Sequence, residues 1–304
     1  MVAERAVLPA ITTSEAVDLV ATCSLGGPVP TAWAATSVPD YEAVIDHPDV
    51  EVVYVPLPNG LHLQWVERCA AAGKHVLCEK PLAPTVAEAL AMQRACDDGG
   101  VLLAEAWMTP FDPRWAHLIG LARGGLIGDL GSVDARFTFT IGPEAASNYR
   151  WLPDQGGGAL LDVGIYCLGA AFELFGDRPA SVDITRTPAP SGVDARSDVV
   201  VRWPDGQVAT ATCSFVDEEA QTLTITGTAG TLSLLHDAHT GGQRASTIEH
   251  RDAGGQTHTI NVVPDDPYRL MIEEFARSVR GIRSWPRPVE RSIAMLNTLT
   301  GGPR

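Results

Sequence analysis

The stretch VEVVYVPLPNGLHLQWVERCAAAGKHVLCEKPLAPT, residues 50–85, decides the fold. Val50 to Val55 reads as the apolar run of a parallel strand buried on both faces. PLPNG then turns the chain. Leu61, Trp65, Val66 and Cys69 recur at helical spacing, and Gly73 supplies a helix stop. A second apolar strand, His75 to Cys78, ends on Glu79, Lys80 and Pro81. Thr85 followed by Glu88 forms the T-x-x-E capping box of another helix.

The same rhythm extends outward from this stretch. VDLVAT, residues 17–22, reads as a strand, the capped helix ends near Gly99-Gly100, and VLLAEA, residues 101–106, is a further strand. Strands alternating with helices predict an α/β fold with a doubly wound, Rossmann-type parallel sheet. Ligands of such sheets sit beyond the carboxyl ends of the strands, where both PLPN and EKP fall. After about Phe111 the pattern changes. A helix over 114–123 leads to SVDARFTFTI, residues 132–141, which alternates as a half-buried strand. Residues 198–215 read as a hairpin around Asp205-Gly206, residues 222–234 as another antiparallel pair, 187–192 as a surface loop, and Tyr268 to Arg280 as a helix. The expected organisation is a dinucleotide-binding domain over 1–110. A substrate and oligomerisation domain over 111–304 follows, α+β in class with an open, mainly antiparallel sheet.

Bulk properties narrow the function. A chain of 304 residues suits two domains, and 45% apolar residues suit packed cores. A formal charge of −15, from 22 basic and 37 acidic residues, argues against nucleic acid and anionic membrane as partners. The six cysteines lie far apart with no C-x-x-C pair, which predicts reduced thiols, a cytoplasmic location and no cysteine-bound metal. Glu4, Glu15 and Asp18 interrupt any signal peptide, and the uncharged run over 19–39 carries three prolines, so it is no membrane helix.

Two places carry chemistry. Lys80 stands at a strand end between a carboxylate and a proline; it either snorkels to water or is held toward a ligand. In DQGGGALLDVGIYCLGAAFELFG, residues 154–176, three glycines precede a helix that puts Asp162 and Tyr166 on one face, four residues apart. They are either a hydrogen-bonded pair at a domain seam or a proton-transfer site. Taken together, the ammonium, carboxylate and phenol match ketone reduction. A free tyrosine titrates near 10, at about the model-peptide value. A neighbouring ammonium lowers it, so Tyr166 can protonate a developing alkoxide that Lys80 also stabilises. Trp107 and Trp115 read as core residues, and Glu105 as either a ribose contact or a solvated carboxylate.

These residues resemble the glucose-fructose oxidoreductase and inositol dehydrogenase family. VYVPLPNGLHLQWVERCAAAGKHVLCEKPLA, residues 53–83, is similar to its second nucleotide-binding segment. NYRWLPDQGGGALLDVGIY, residues 148–166, is similar to its substrate-domain signature. Tyrosine at 166, where many members have histidine, resembles the dihydrodiol dehydrogenase branch. The resemblance implies a hydride transfer between NADP or NAD and a sugar, polyol or cyclic diol. Lys80 and Tyr166 would be the catalytic pair and Asp162 a substrate-side partner. Leu57, Asn59, His62, Glu79 and Lys80 would line the cofactor, with Arg150 and Trp151 near the nicotinamide. It further implies a cis Lys80-Pro81 bond, no metal, and a homo-oligomer built on the open sheet. His62 on its own reads as a helix cap or a solvent-facing ring.

The sequence also departs from the family. No G-x-G-x-x-G/A turn exists to receive a pyrophosphate, and MVAERAVLPAI looks like the helix that follows such a turn. Either the recorded start lies downstream of the real one, or the chain is a cofactor-defective, non-catalytic binding or regulatory homologue; the first is the expectation. As it stands, the chain is expected to fold weakly and bind dinucleotides poorly. Ser24-Leu25 replaces a Ser-Arg pair; Ser24 tolerates a 2′-phosphate, so NADP is preferred and NAD stays open. EAWMTPFDP, residues 105–113, carries Thr109, Pro110 and Asp112 where the branch has tyrosine, arginine and histidine.

Overall fold

The computed structural model describes residues 2–24, 36–142, 145, 147–241 and 246–301. Leu25, of the Ser24-Leu25 reading, lies outside them. The chain divides into two compact units, residues 1–108 with 268–292, and residues 109–267 with 293–304.

In the first unit a π-helical turn, Ala3–Val7, runs into α1 (Leu8–Thr13). Strand β1 (Ala21–Thr22) pairs in parallel with β2 (Thr36–Ser37), and α2 (Tyr41–Ile45) is N-capped by Asp40. Only the last two residues of the expected 17–22 strand therefore carry a ladder. Three further strands, β3 (Val52–Val55), β4 (His75–Glu79) and β5 (Leu103–Ala106), form a parallel sheet with β4 at its centre. Among the described residues no strand joins the two parallel sheets.

Helix α3 (His62–Ala71) buries His62, Val66, Cys69 and Ala70; of the predicted stripe Val66 and Cys69 are buried, while Leu61 and Trp65 are half-buried. Helix α4 (Val86–Gly99) has its capping box formed in both directions between Thr85 and Glu88, and ends at Gly100 with a left-handed φ of 64°. The two helices pack closely enough that a Cβ on Gly99 would lie 2.7 Å from the Ala70 carbonyl oxygen. Helix α7 (Pro267–Val279) belongs almost wholly to this unit, beyond the division expected at residue 110. Glu273 accepts from the Ser14 hydroxyl at 3.4 Å, and Arg280 donates to the Ala16 carbonyl at 2.9 Å. An amphipathic helix can close either core, and nothing in its sequence names which one receives it.

The second unit is built on one eight-stranded sheet. Its strands are β6 (Leu130–Thr140), β7 (Ser181–Pro188), β8 (Asp194–Arg202), β9 (Val208–Ser214), β10 (Val216–Gly227), β11 (Gly230–Leu234), β12 (Ser246–Asp252) and β13 (Thr257–Val262). They lie in the order β13-β12-β11-β10-β6-β9-β8-β7. Every neighbouring pair is antiparallel except β6 and β9, which run parallel because the chain between them crosses through a helix and a hairpin. The expected hairpins at Gly206 and over 222–234 are present. Helix α5 (Pro113–Arg123) starts at the N-cap Asp112. Helix α6 (Ala159–Phe175) packs on β6, β8 and β9 and is buried from Leu160 to Phe172 on nearly all sides, apart from Leu161. Helix α8 (Val289–Thr300) crosses the division between the units. No described helix is long and apolar enough to cross a membrane.

Candidate active site

The first unit's candidates sit where β3 and β4 end. The Lys80-Pro81 peptide is cis, as the family resemblance implies. Lys80 is half-buried. Glu79 before it accepts from the Tyr54 hydroxyl at 2.6 Å. Burial first, and Glu79 second, push the Tyr54 phenol well above its ordinary value, so it stays a donor.

His62 lies deeper than a cap or a solvent-facing ring. It is fully buried, with Nδ1 3.0 Å from the Leu82 carbonyl oxygen and Nε2 2.9 Å from that of Leu57. Both ring nitrogens thereby face backbone carbonyls, one of which receives the single N–H of the neutral ring, and the ring links the loops after β3 and β4. Burial lowers its pKa; the facing carbonyls of Leu57, Leu82 and Pro81 work the other way, and the Lys80 charge lowers it further. Glu105 is neither solvated nor turned to a ribose: it is 4% exposed and its Oε1 accepts the Leu82 N–H at 2.9 Å. Asn59 is buried at the start of a 3-10 turn, Leu57 is half-buried, and Ser24 is half-buried just beyond β1. Trp107 and Trp115 are core residues, as expected.

The second unit assembles Arg150, Asp162 and Tyr166. The glycine turn is shaped by close approach. A Cβ on Gly157 would lie 2.5 Å from the Arg150 carbonyl oxygen, and one on Gly158, whose φ is 118°, would lie 2.3 Å from Asp194 Oδ1. Gly158 has no side chain to cap α6, and Asp194 from β8 substitutes by accepting the Leu160 N–H at 2.8 Å. The Gly158 N–H donates to the Arg150 carbonyl at 3.0 Å, which folds the loop so that Arg150 reaches the first turn of α6. Its Nε donates to Asp162 Oδ2 at 2.6 Å and its Nη2 to Oδ1 at 3.4 Å. Burial opposes the Arg150 charge, but Asp162, then Tyr149 and Tyr166, hold its pKa above the ordinary value.

Tyr166 is 7% exposed, one turn beyond Asp162. Its ring meets Phe137 edge-on at 5.3 Å and His239 at 6.1 Å, and His239 stacks on Phe137 at 5.5 Å. His239 is fully buried, with Nε2 3.1 Å from the Arg136 carbonyl oxygen. Trp151 packs edge-on against Phe215 at 5.5 Å. Two of the three departures from the branch pattern, Thr109 and Asp112, are occupied internally. Thr109 donates to the His239 carbonyl at 3.2 Å, and Asp112 caps α5 and pairs with the buried Arg114 at 2.7 Å.

Sequence reasoning missed Tyr54, Asp194, Phe137 and His239. None carries a motif, and each reaches its target through strand pairing or helix-on-sheet packing. As a place for a dinucleotide, the loops after β3 and β4 fit a nicotinamide: they follow parallel strands and are fixed from behind by His62 and Glu105. Leu57, Asn59, Glu79 and Lys80 are the residues that would hold it. No glycine-turn motif is present for the pyrophosphate.

Comparison with known proteins places both units. Residues 8–106 match the model described as "Oxidoreductase family, NAD-binding Rossmann fold", and residues 115–233 match the "GFO/IDH/MocA C-terminal domain". The chain is 34% identical over 275 residues to D-xylose 1-dehydrogenase (NADP(+)) 2 of Haloferax volcanii, covering 89% of this chain and 81% of that protein. It is 34% identical over 196 residues to trans-1,2-dihydrobenzene-1,2-diol dehydrogenase of Sus scrofa, covering 64% of this chain and 58% of that protein. Among solved structures, a 3-ketoreductase from Actinomadura kijaniata in complex with NADP and TDP-benzene superposes with a TM-score of 0.87 at 25% identity, covering 99% of this chain and 93% of that one. The chain therefore belongs to the GFO/IDH/MocA family of NAD(P)-dependent oxidoreductases.

Proposed function

We propose that this protein moves a hydride between a nicotinamide dinucleotide, NADP in preference to NAD, and a carbonyl or secondary alcohol of a sugar, polyol or cyclic diol. The observation that carries this reading is the N-terminal half of α6, where a buried carboxylate and a buried phenol stand four residues apart with Arg150 clasping the carboxylate. A bound nicotinamide supplies or accepts the hydride. Leu57, Asn59, Glu79, Lys80 and Ser24 hold the cofactor, with Arg150 and Trp151 toward its nicotinamide. Tyr166 gives a proton to the developing alkoxide, or takes one from the alcohol in the reverse direction. Phe137 and His239 hold its ring against rotation. The Lys80 ammonium favours the phenolate and stabilises the oxyanion. Asp162 accepts from a substrate hydroxyl.

The substrate class is supported by the xylose and dihydrodiol dehydrogenases among the relatives, and NADP by the name of the first of these and by Ser24. Association of copies through the open face of the eight-stranded sheet belongs to the same reading; in β8 less-exposed and more-exposed residues alternate. So does a cytoplasmic location, supported by six free cysteines. The test is single-turnover reduction of a panel of aldoses, ketoses and cyclic diol precursors with NADPH, followed by nicotinamide absorbance. Lys80→Met and Tyr166→Phe are each expected to slow hydride transfer by about 10²–10⁴-fold. A rate untouched by both substitutions eliminates the mechanism.

A further inference from the structure

We infer that Tyr54, His62 and Glu105 form a buried three-point clamp that sets the backbone around Lys80, and that they are positioning residues for the reaction proposed above, on which this assignment rests. The clamp grips both sides of the Lys80-Pro81 dipeptide. On the near side, the Tyr54 hydroxyl holds the Glu79 carboxylate at 2.6 Å. On the far side, both backbone polar groups of Leu82 are taken by side chains: its N–H by Glu105 at 2.9 Å, and its carbonyl oxygen by His62 at 3.0 Å. The second nitrogen of His62 lies 2.9 Å from the Leu57 carbonyl oxygen, so the ring, with one N–H when neutral, stands between the PLPN and EKP loops and can donate to either.

The three residues come from three places: the end of β3, the start of α3 and the end of β5. His62 and Glu105 are at most 4% exposed. Such residues act through Lys80 and not on a substrate. Hydrogen bonds to Glu79 and Leu82, on either side of one lysine, leave its backbone few alternatives, and a misplacement of about 1 Å at a reacting group costs on the order of 10²-fold in rate.

Amine chemistry tests this without reference to turnover, because the chain contains only two lysines, Lys74 and Lys80. Lys74 donates to the carbonyls of His47 and Val50 at 3.1 and 2.7 Å, away from the clamp, and serves as an internal control. The folded full chain is acylated with trace acetic anhydride across pH 6–11, a range that runs from well below to just above ordinary lysine titration at about 10.4. Peptide mass spectrometry then reads each lysine separately. In Tyr54→Phe and Glu105→Leu the Lys80 profile is expected to shift by at least about threefold in rate while that of Lys74 stays put. Glu105→Gln, whose amide oxygen still accepts the Leu82 N–H, is expected to restore the original profile. If Glu105→Leu does not fold, Tyr54→Phe carries the test, since it keeps the ring. Lys80 profiles that superimpose on the unsubstituted protein in Tyr54→Phe overturn the clamp. A shift shared equally by Lys74 also overturns it, because it reports general loosening. These outcomes are separate from the Lys80→Met and Tyr166→Phe rates, which decide the reaction.

Discussion

Replacing Arg150 with methionine removes the guanidinium from the Asp162 carboxylate while keeping most of the side-chain bulk. The Asp162 side chain is 5% exposed and receives two bonds from the guanidinium, at 2.6 and 3.4 Å. Removing one partner of a buried pair costs about 3–5 kcal/mol, because the other charge is left behind. Arg150 itself is 27% exposed, so water reaches part of the site and the expected loss sits near the lower end, about 2–3 kcal/mol. Adding Asp162→Asn removes the carboxylate charge, so the double variant should recover much of that loss, with a coupling of about 1.5–3 kcal/mol in a double-mutant cycle. The deficit of Arg150→Met should shrink on acidification, because protonating the carboxylate abolishes the buried charge. Urea denaturation followed by circular dichroism at pH 8 and pH 5 measures all three variants. An Arg150→Met loss under about 0.5 kcal/mol at pH 8, or an equal loss with Asn at 162, would refute the argument that this pair organises the start of α6.

Gly158→Ala is expected to lose about 2–4 kcal/mol, from a strained backbone at φ 118° and from displacement of the Asp194 carboxylate that serves as the cap of α6; a urea midpoint shift equivalent to under about 0.5 kcal/mol contradicts the close-approach account. Stability should also depend on pH through His62 and His75, whose folded pKa values burial lowers below the ordinary 6.5. The unfolded chain then binds protons that the folded one does not, so this contribution is complete above pH 6.5 and is lost as pH falls toward the folded values. A plot of unfolding free energy against pH should rise from pH 5 to 7, and His62→Gln should flatten it; a slope unchanged in that variant removes His62 from the account.

Much of the fold was legible because it rests on local rules. The capping box at Thr85, the glycine stop at Gly100, the buried stripe of α3 and the hairpin at Gly206 each follow from a few neighbouring residues. Lys80, Asp162 and Tyr166 were legible as residue types placed at a strand end and on one helix face. What those residues touch was not. Arg150 read as a charge before a glycine turn, and it becomes the partner of Asp162 only because Gly157 and Gly158 let the backbone approach itself. Glu105 read as a ribose contact or a solvated carboxylate, and it proves to be a buried acceptor for Leu82.

By itself the sequence determined the alternation of parallel strands and helices, the later change to hairpins, and the chemical identity of the candidate acid, base and amine. Periodicity and turn chemistry act over a few residues, so they survive in a one-dimensional reading. Only the tertiary structure decided that α7 returns to the first unit, that His239 and Phe137 wall the Tyr166 ring, and that Tyr54, His62 and Glu105 surround Lys80 from three separate elements. Those contacts join residues between 20 and 264 positions apart, and they depend on which surfaces bury against each other, a choice made by the packed chain as a whole.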